Sequence, residues 1–301
     1  MADQSAFFSD PSAQFTAASP SLEKLPFSGS SLMDFYRSRS GGRSRLFKVL
    51  REEYRGVPLY ESILRKEFEI GYSLAHPGIC EVYSFRSLQG LGNAIEMEWV
   101  DGQNLSEAVS TGLVSRKNAK KVICQILDAL EYMHRKQVVH RDLKPENILV
   151  TVKGRNVKII DFGLSDADSF DIGKTPAGTL HYAAPEIVSG SSYDQRCDIY
   201  SMGIIMEETF PGMYKAIAQK CSSQDPAKRF DSAQEVKEAV IRSEKKKTRI
   251  AVTLAAILMA CAAIAAISLA SRHSASEVDR IFHETESVLM EKAGISPASQ
   301  E

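Results

Sequence analysis

The stretch from Val139 to Gly163, VHRDLKPENILVTVKGRNVKIIDFG, constrains this chain more than any other. It opens with a run of polar and charged groups, His140, Arg141, Asp142, Lys144 and Asn147. Two apolar runs follow, ILVTV and VKII, separated by Lys153-Gly154-Arg155-Asn156, which is turn chemistry between two strands. The second run ends in one more carboxylate, Asp161, with Phe162 and Gly163 behind it. A hairpin of this kind needs a sheet or a core to lie on. It also carries a base, a lysine and two oxygen ligands for a hard cation into one short segment.

Length and composition bound what can surround this stretch. The 301 residues, 44% hydrophobic and 25% charged, suffice for one large or two modest domains with a sizeable core. Lys+Arg at 37 against Asp+Glu at 38 leaves a formal net charge of -1, so no nucleic-acid footprint is expected. Five cysteines lie far apart without CxxC spacing, which reads as reduced thiols in a cytosolic chain. Residues 1–26 are a polar, Ser/Ala/Pro-rich leader without the pattern of a cleavable signal peptide. Residues 250–270, IAVTLAAILMACAAIAAISLA, form an uncharged run long enough to cross a bilayer as a helix.

The opening stretch resembles the catalytic core of eukaryotic-like serine/threonine protein kinases, of the bacterial membrane-anchored type. The resemblance implies an α+β, two-lobed fold over residues 27–242: a small β-rich lobe followed by a mainly helical one. It implies Mg-ATP-dependent transfer of the γ-phosphoryl group to Ser/Thr hydroxyls of cytoplasmic proteins. Asp142 would be the catalytic base and Lys144 would neutralise the migrating phosphoryl group. Asn147 and Asp161 would hold Mg2+. Lys48, inside the apolar strand RLFKVL, would hold the ATP phosphates, paired with Glu67, or with Glu69 as the near alternative, on a helix read over 61–74. Met97 would back the adenine site, with backbone groups of Glu98 to Val100 reading the adenine edge. Of the family's phosphate-covering glycines only Gly29 is present.

Further matches follow downstream. The segment GTLHYAAPE carries Thr179, expected near the base, and Glu186, expected to pair with Arg229 of the segment DPAKRF. Asp198 would hold the backbone of the catalytic loop from below. Thr175 is the expected first site of autophosphorylation, its phosphate captured by Arg141. Two departures stand out. Gly71 falls where the family packs a bulky apolar residue, which predicts a loosely docked helix. Between Phe210 and Met213 the chain passes almost directly to the penultimate helix, so a docking helix of the family is missing.

Lys245, Lys246, Lys247 and Arg249, in the basic linker 243–249, precede the apolar run, and Arg272 alone follows closely. The positive-inside bias then predicts a single-pass inner-membrane protein with a cytoplasmic kinase domain and residues 271–301 outside the cytoplasm. Small residues at four-residue spacing in the run allow a homodimer. Two rival readings keep the fold and change the activity. One is a membrane-anchored pseudokinase scaffold, favoured by the poor glycine loop. The other is a small-molecule phosphotransferase, favoured by the missing docking helix.

Overall fold

The computed structural model describes residues 22–26, 32–162 and 181–292. The chain divides into two units, Met1–Ile241 and Arg242–Glu301. The first unit opens with β1 (Leu22–Lys24), β2 (Met33–Ser40) and β3 (Arg43–Leu50), continues through α1 (Pro58–Ser73), and returns through β4 (Val82–Leu88) and β5 (Gly92–Glu98). These five strands form one antiparallel sheet in the order β1-β2-β3-β5-β4. The first strand lies inside the segment read as a polar leader. Its three residues, of which Glu23 and Lys24 are exposed, are too few and too charged to show an alternating pattern.

β3 is the central strand of the sheet and is buried on both faces from Phe47 to Leu50. Phe47 and Val49 pack with Ala94 on one face. On the other, Leu50 packs with Leu64, Val82, Ile95 and Met97. Lys48, two residues before Leu50, shares that second face, so a charged group is held inside the small lobe. α1 starts on Pro58, whose missing N–H is not needed in a first turn, and buries a stripe of Leu64, Glu67 and Gly71.

The second lobe is built around helices. β6 (Gly102–Asn104) leads into α2 (Leu105–Ser110), capped by the Asn104 side chain accepting from the Glu107 N–H at 2.9 Å. α3 (Ala119–Arg135) places Val122, Ile123, Ile126, Leu127, Leu130 and Met133 in the core, all fully buried. β7 (Ile148–Thr151) and β8 (Val157–Ile159) form the expected hairpin, and β6 completes a three-stranded sheet. Its turn carries Gly154 at φ 82° and Arg155 at φ 50°, the paired left-handed residues of a tight hairpin.

α4 (Pro185–Val188), α5 (Arg196–Thr209) and α6 (Lys215–Cys221) follow, and the last helix, α7 (Ala233–Lys292), starts by burying Ala233, Val236 and Val240. Ser232 caps it, its hydroxyl accepting from the Glu235 N–H at 3.2 Å. α5 buries nine of its fourteen residues, among them Asp198 and Ser201, and so reads as a central helix without a polar face. Gly203 lets α5 pack closely against α6. A Cβ there would lie 2.7 Å from Cys221 Cβ and 2.8 Å from the Ala218 carbonyl oxygen.

Within the second unit, Val252–Leu269 has a mean hydropathy of 2.5 and none of it is buried. By length and composition it can cross a membrane.

Candidate active site

The site forms where the two lobes of the first unit meet. From above, β3 supplies Lys48 and α1 supplies Glu67. Lys48 Nζ donates to Glu67 Oε1 at 2.5 Å and to Asp161 Oδ1 at 3.0 Å. Lys48 and Glu67 are almost wholly buried, whereas the Asp161 side chain is 38% exposed and faces the cleft. Burial disfavours the Lys48 ammonium, but Asp161 and Glu67 outweigh it and raise its pKa above the ordinary lysine value. Burial pushes the Glu67 carboxyl up to about 7, against the pull of Lys48. Among the described residues, Glu67 Oε2 has no hydrogen-bond donor.

From below comes the loop between α3 and β7. Lys144 Nζ donates to Asp142 Oδ2 at 2.7 Å, and Asn147 Nδ2 donates to the Asp142 carbonyl at 2.8 Å and to Oδ2 at 3.1 Å. Burial lifts the Asp142 pKa above the ordinary carboxylate value, with Lys144 opposing it. The Ile160 N–H donates to the Asn147 carbonyl at 3.0 Å, which sets Asp161 beside this loop. Arg141 and Asp161 both hold left-handed backbone, at φ 65° and 68°. For residues with a Cβ such a conformation is costly, and the surrounding bonds have to maintain it.

The bonds that maintain it at Arg141 come from α5. Asp198, fully buried, accepts from the Arg141 N–H at 2.8 Å through Oδ1 and from the His140 N–H at 2.9 Å through Oδ2. His134 Nε2 lies 2.8 Å from the same Oδ2. Burial alone would raise the Asp198 pKa; the hydrogen bonds and charge of His134, with His140 behind them, hold it below the ordinary carboxylate value. His140 is itself fully buried, its Nε2 3.2 Å from the Ile160 carbonyl and its ring 6.0 Å from that of Phe162. His134 was not singled out in the sequence. Its only signal is its place six residues ahead of His140 on the buried face of α3.

Farther out, Arg229 Nη1 and Nη2 clasp Glu186 Oε1 and Oε2 at 2.6 and 2.8 Å, and the Arg229 side chain is fully buried. Three carbonyls, of Ser223, Arg196 and Gln224, take up its remaining donors. Arg141 stacks on Tyr193, its guanidinium carbon 4.3 Å from the ring centroid. Met97 is buried in β5, opposite Leu46 and Val82. At the strand end the Glu98 N–H donates to the Glu81 carbonyl at 2.8 Å, so that donor is engaged within the small lobe. The Glu98 carboxylate binds Lys158 Nζ at 2.8 Å, a link from β8 to the end of β5 that no sequence pattern announces. Gly29, Thr175 and Thr179 lie outside the described residues.

One expectation is corrected by packing. Gly71 leaves no gap behind α1, because Val82 and Phe162 fill the space its side chain would take.

A cation fits the donor set in a limited way. Asn147 uses its side-chain nitrogen on Asp142, which leaves its side-chain Oδ1 for another partner, and Asp161 offers a half-open carboxylate. Two such oxygens suit Mg2+, which completes its shell with phosphate and water. Among the described residues no group of three or more His, Cys, Asp or Glu forms a closed metal cage.

Comparison with known proteins agrees with this geometry. Residues 37–278 match the family described as "Protein kinase domain". The serine/threonine-protein kinase PknB of Mycobacterium tuberculosis is 35% identical over 199 residues, 63% of this chain and 32% of that protein. PrkC of Bacillus subtilis is 34% identical over 174 residues, 56% of this chain and 26% of that protein. Calcium-dependent protein kinase 4 of Plasmodium falciparum is 34% identical over 174 residues, again 56% of this chain and 33% of that protein. The chain thus spans about a quarter to a third of the length of these relatives. Among solved structures, the PknI kinase domain of Mycobacterium tuberculosis superposes with a TM-score of 0.58 at 21% identity, covering 75% of this chain and 96% of that one. With a two-lobed fold, a cleft lined by these carboxylates and a family match over most of its length, this chain belongs to the protein kinase domain family.

Proposed function

We propose that this protein is a serine/threonine protein kinase that uses Mg-ATP. The observation that carries this reading is the convergence of Lys48, Glu67 and Asp161 with Asp142, Lys144 and Asn147 on one cleft. Bound Mg-ATP supplies the electrophilic phosphorus and a cation that offsets phosphate charge. Around it, Asp142 accepts the proton of a substrate Ser or Thr hydroxyl, and its raised pKa makes it a stronger base. Lys144, bonded to Asp142, compensates negative charge on the transferred group. Asn147 and Asp161 present oxygens to Mg2+, and Lys48, braced by Glu67, presents its ammonium to the phosphates. Asp198 and His134 keep the loop in place without touching a reactant.

The remainder of the reading rests on the sequence. The kinase domain extends over about residues 27–242, with β1 adding Leu22–Lys24. The apolar helix tethers it to the inner membrane with the kinase on the cytoplasmic side, autophosphorylation occurs in the segment holding Thr175, and the span supports a homodimer. Substrates are cytoplasmic proteins.

The test is the purified full chain in detergent with Mg-ATP and a generic Ser/Thr substrate, beside Asp142→Asn. Removing the base lowers turnover by about 10² to 10⁴. A wild-type protein without turnover refutes the enzyme. Mass spectrometry of the same reaction locates the phosphate, and reporter fusions at the C-terminus read the topology.

A further inference from the structure

Within the second unit the helix runs from Arg242 to Lys292 without a glycine or a proline. Such a helix has no place to kink, so it carries whatever lies beyond the apolar span Val252–Leu269 away from that span. At about 1.5 Å per residue, Val278 stands about 14 Å beyond the end of the span and Leu289 about 30 Å. The headgroup layer on each side of a bilayer is only about 5–8 Å deep. The stretch between these two residues is amphipathic. Val278, Ile281, Phe282, Val288 and Leu289 recur at the spacing of one helical face, about 120° wide, with Thr285 in its middle.

The five apolar residues are open to solvent, from 49% exposed at Val288 to 68% at Phe282. On the polar side charges pair along the helix, Arg280 with Glu284 at 3.9 Å and His283 with Glu286 at 3.7 Å. No charge therefore has to leave water when the apolar face is covered. Thr285 completes the pattern. Its hydroxyl donates to the Ile281 carbonyl at 2.6 Å, so it brings no unspent donor into an apolar contact. An apolar face of this size, held clear of lipid, is covered by protein.

We propose that this face is covered by the same face of a second copy of the chain, as a short parallel helix pair beyond the membrane. Two copies inserted alike hold residues 278–289 at the same height, so the face meets itself in register, as an isologous contact requires. Insertion also removes tumbling freedom that a short helix pair would otherwise have to give up. The placement of charge allows the match. In either heptad register of a parallel pair, the acid at the edge of the seam lies beside an apolar residue, Glu284 by Leu289 or Glu286 by Ile281, so no like charges meet. The height of the face rests on the membrane-spanning reading of Val252–Leu269, and the pairing deepens the homodimer drawn from that span; the amphipathic pattern stands without either.

The experiment is cysteine crosslinking of the full chain in isolated membranes with a short, permeant bis-maleimide. Val278→Cys and Thr285→Cys lie on the face, whereas Arg280→Cys and Ser287→Cys lie opposite. Dimer is read above that of the wild type, whose Cys124 and Cys261 set the background. The face positions are expected to give at least about fivefold more dimer than the opposite ones. Adding Phe282→Glu to the Thr285→Cys chain lowers its dimer by about tenfold, because two carboxylates would have to be buried, while Phe282→Leu keeps it. Thermal melting of the kinase domain stays unchanged in every variant. Equal crosslinking from both sides overturns the proposal, as does dimer that survives Phe282→Glu. An adduct of Thr285→Cys with a protein of different mass in place of the dimer also overturns it. So does a face lying in lipid, seen as Thr285→Cys unreactive towards an impermeant maleimide on intact cells that labels Ser287→Cys. If neither position is labelled from outside, the membrane orientation falls, while the crosslinks in isolated membranes still decide the pairing.

Discussion

The upper and lower halves of the cleft bury charge in two different ways. In the lower half, Asp198 is fully buried and both its oxygens accept hydrogen bonds, from two backbone N–H groups and from His134. In the upper half, Glu67 is almost as hidden, but one oxygen meets Lys48, the other has no hydrogen-bond donor among the described residues, and the Asp161 carboxylate adds like charge. The carboxylate with a full set of donors is held ionised below its ordinary pKa, while the half-satisfied one is raised to about 7. Burial alone therefore does not settle the state of a buried acid; the number of donors aimed at it does. The lower loop is fixed by many bonds, whereas the upper pair depends on how α1 is docked.

The lower half is the more costly to disrupt. Asp198→Ala leaves the His140 and Arg141 N–H groups buried without an acceptor, and with them the left-handed backbone at Arg141. A loss of about 3–5 kcal/mol is expected in denaturant titrations. Glu67→Gln removes one of two carboxylates on Lys48 and leaves Asp161 paired with it, and the Glu67 carboxyl is already raised to about 7, so the loss is expected to be smaller than at Asp198. Its ATP KM nevertheless rises by about tenfold, because Lys48 loses its brace. Equal destabilisation by the two substitutions would refute the contrast.

Changing the pH separates the two acids again, because they shift in opposite directions. The Glu67 pKa is about 7 in the fold against an ordinary 4.5. Between those values the folded state binds more protons than the unfolded one, so this group's contribution to stability falls as pH rises. The Asp198 pKa lies below its ordinary 3.8, so its contribution is full above 3.8 and is lost as pH falls through the folded value. The ATP kcat/KM, measured against pH, is expected to follow the Glu67 charge and to rise through about 7. Melting temperatures measured against pH should lose the slope between 4.5 and 7 in Glu67→Gln and the acid slope in Asp198→Asn.

The smallest expected effect lies at the lobe junction. Lys158 and Glu98 are joined at 2.8 Å with side chains 17% and 25% exposed. Lys158→Met should cost no more than about 1 kcal/mol. Nucleotide KM in that variant reports whether the end of β5 needs this tie.

Much of the site was legible because its residues are neighbours in sequence. Asp142, Lys144 and Asn147 fall within six residues, and their loop is followed by a hairpin whose turn chemistry is explicit. Glu186 and Arg229 were legible for another reason: each sits in its own recognisable segment. The strand at Leu22–Lys24 was not legible, since three residues carry no period. Neither was the bond from the Glu98 N–H to the Glu81 carbonyl, which arises from strand pairing and leaves no mark on side-chain pattern.

By itself the sequence determined which chemical groups the cleft contains, because residue type fixes whether a group can serve as base, cation or ligand. It also determined the hairpin between β7 and β8, which follows from its two apolar runs and turn residues. Only the tertiary structure decided the state of those groups. Whether a carboxyl is held ionised, as at Asp198, or pushed towards neutrality, as at Glu67, depends on donors brought from distant helices. Whether Gly71 leaves a hole or a close contact depends on Val82 and Phe162 arriving from other elements. Packing and desolvation are sums over neighbours in space, and most of those neighbours are far away along the chain.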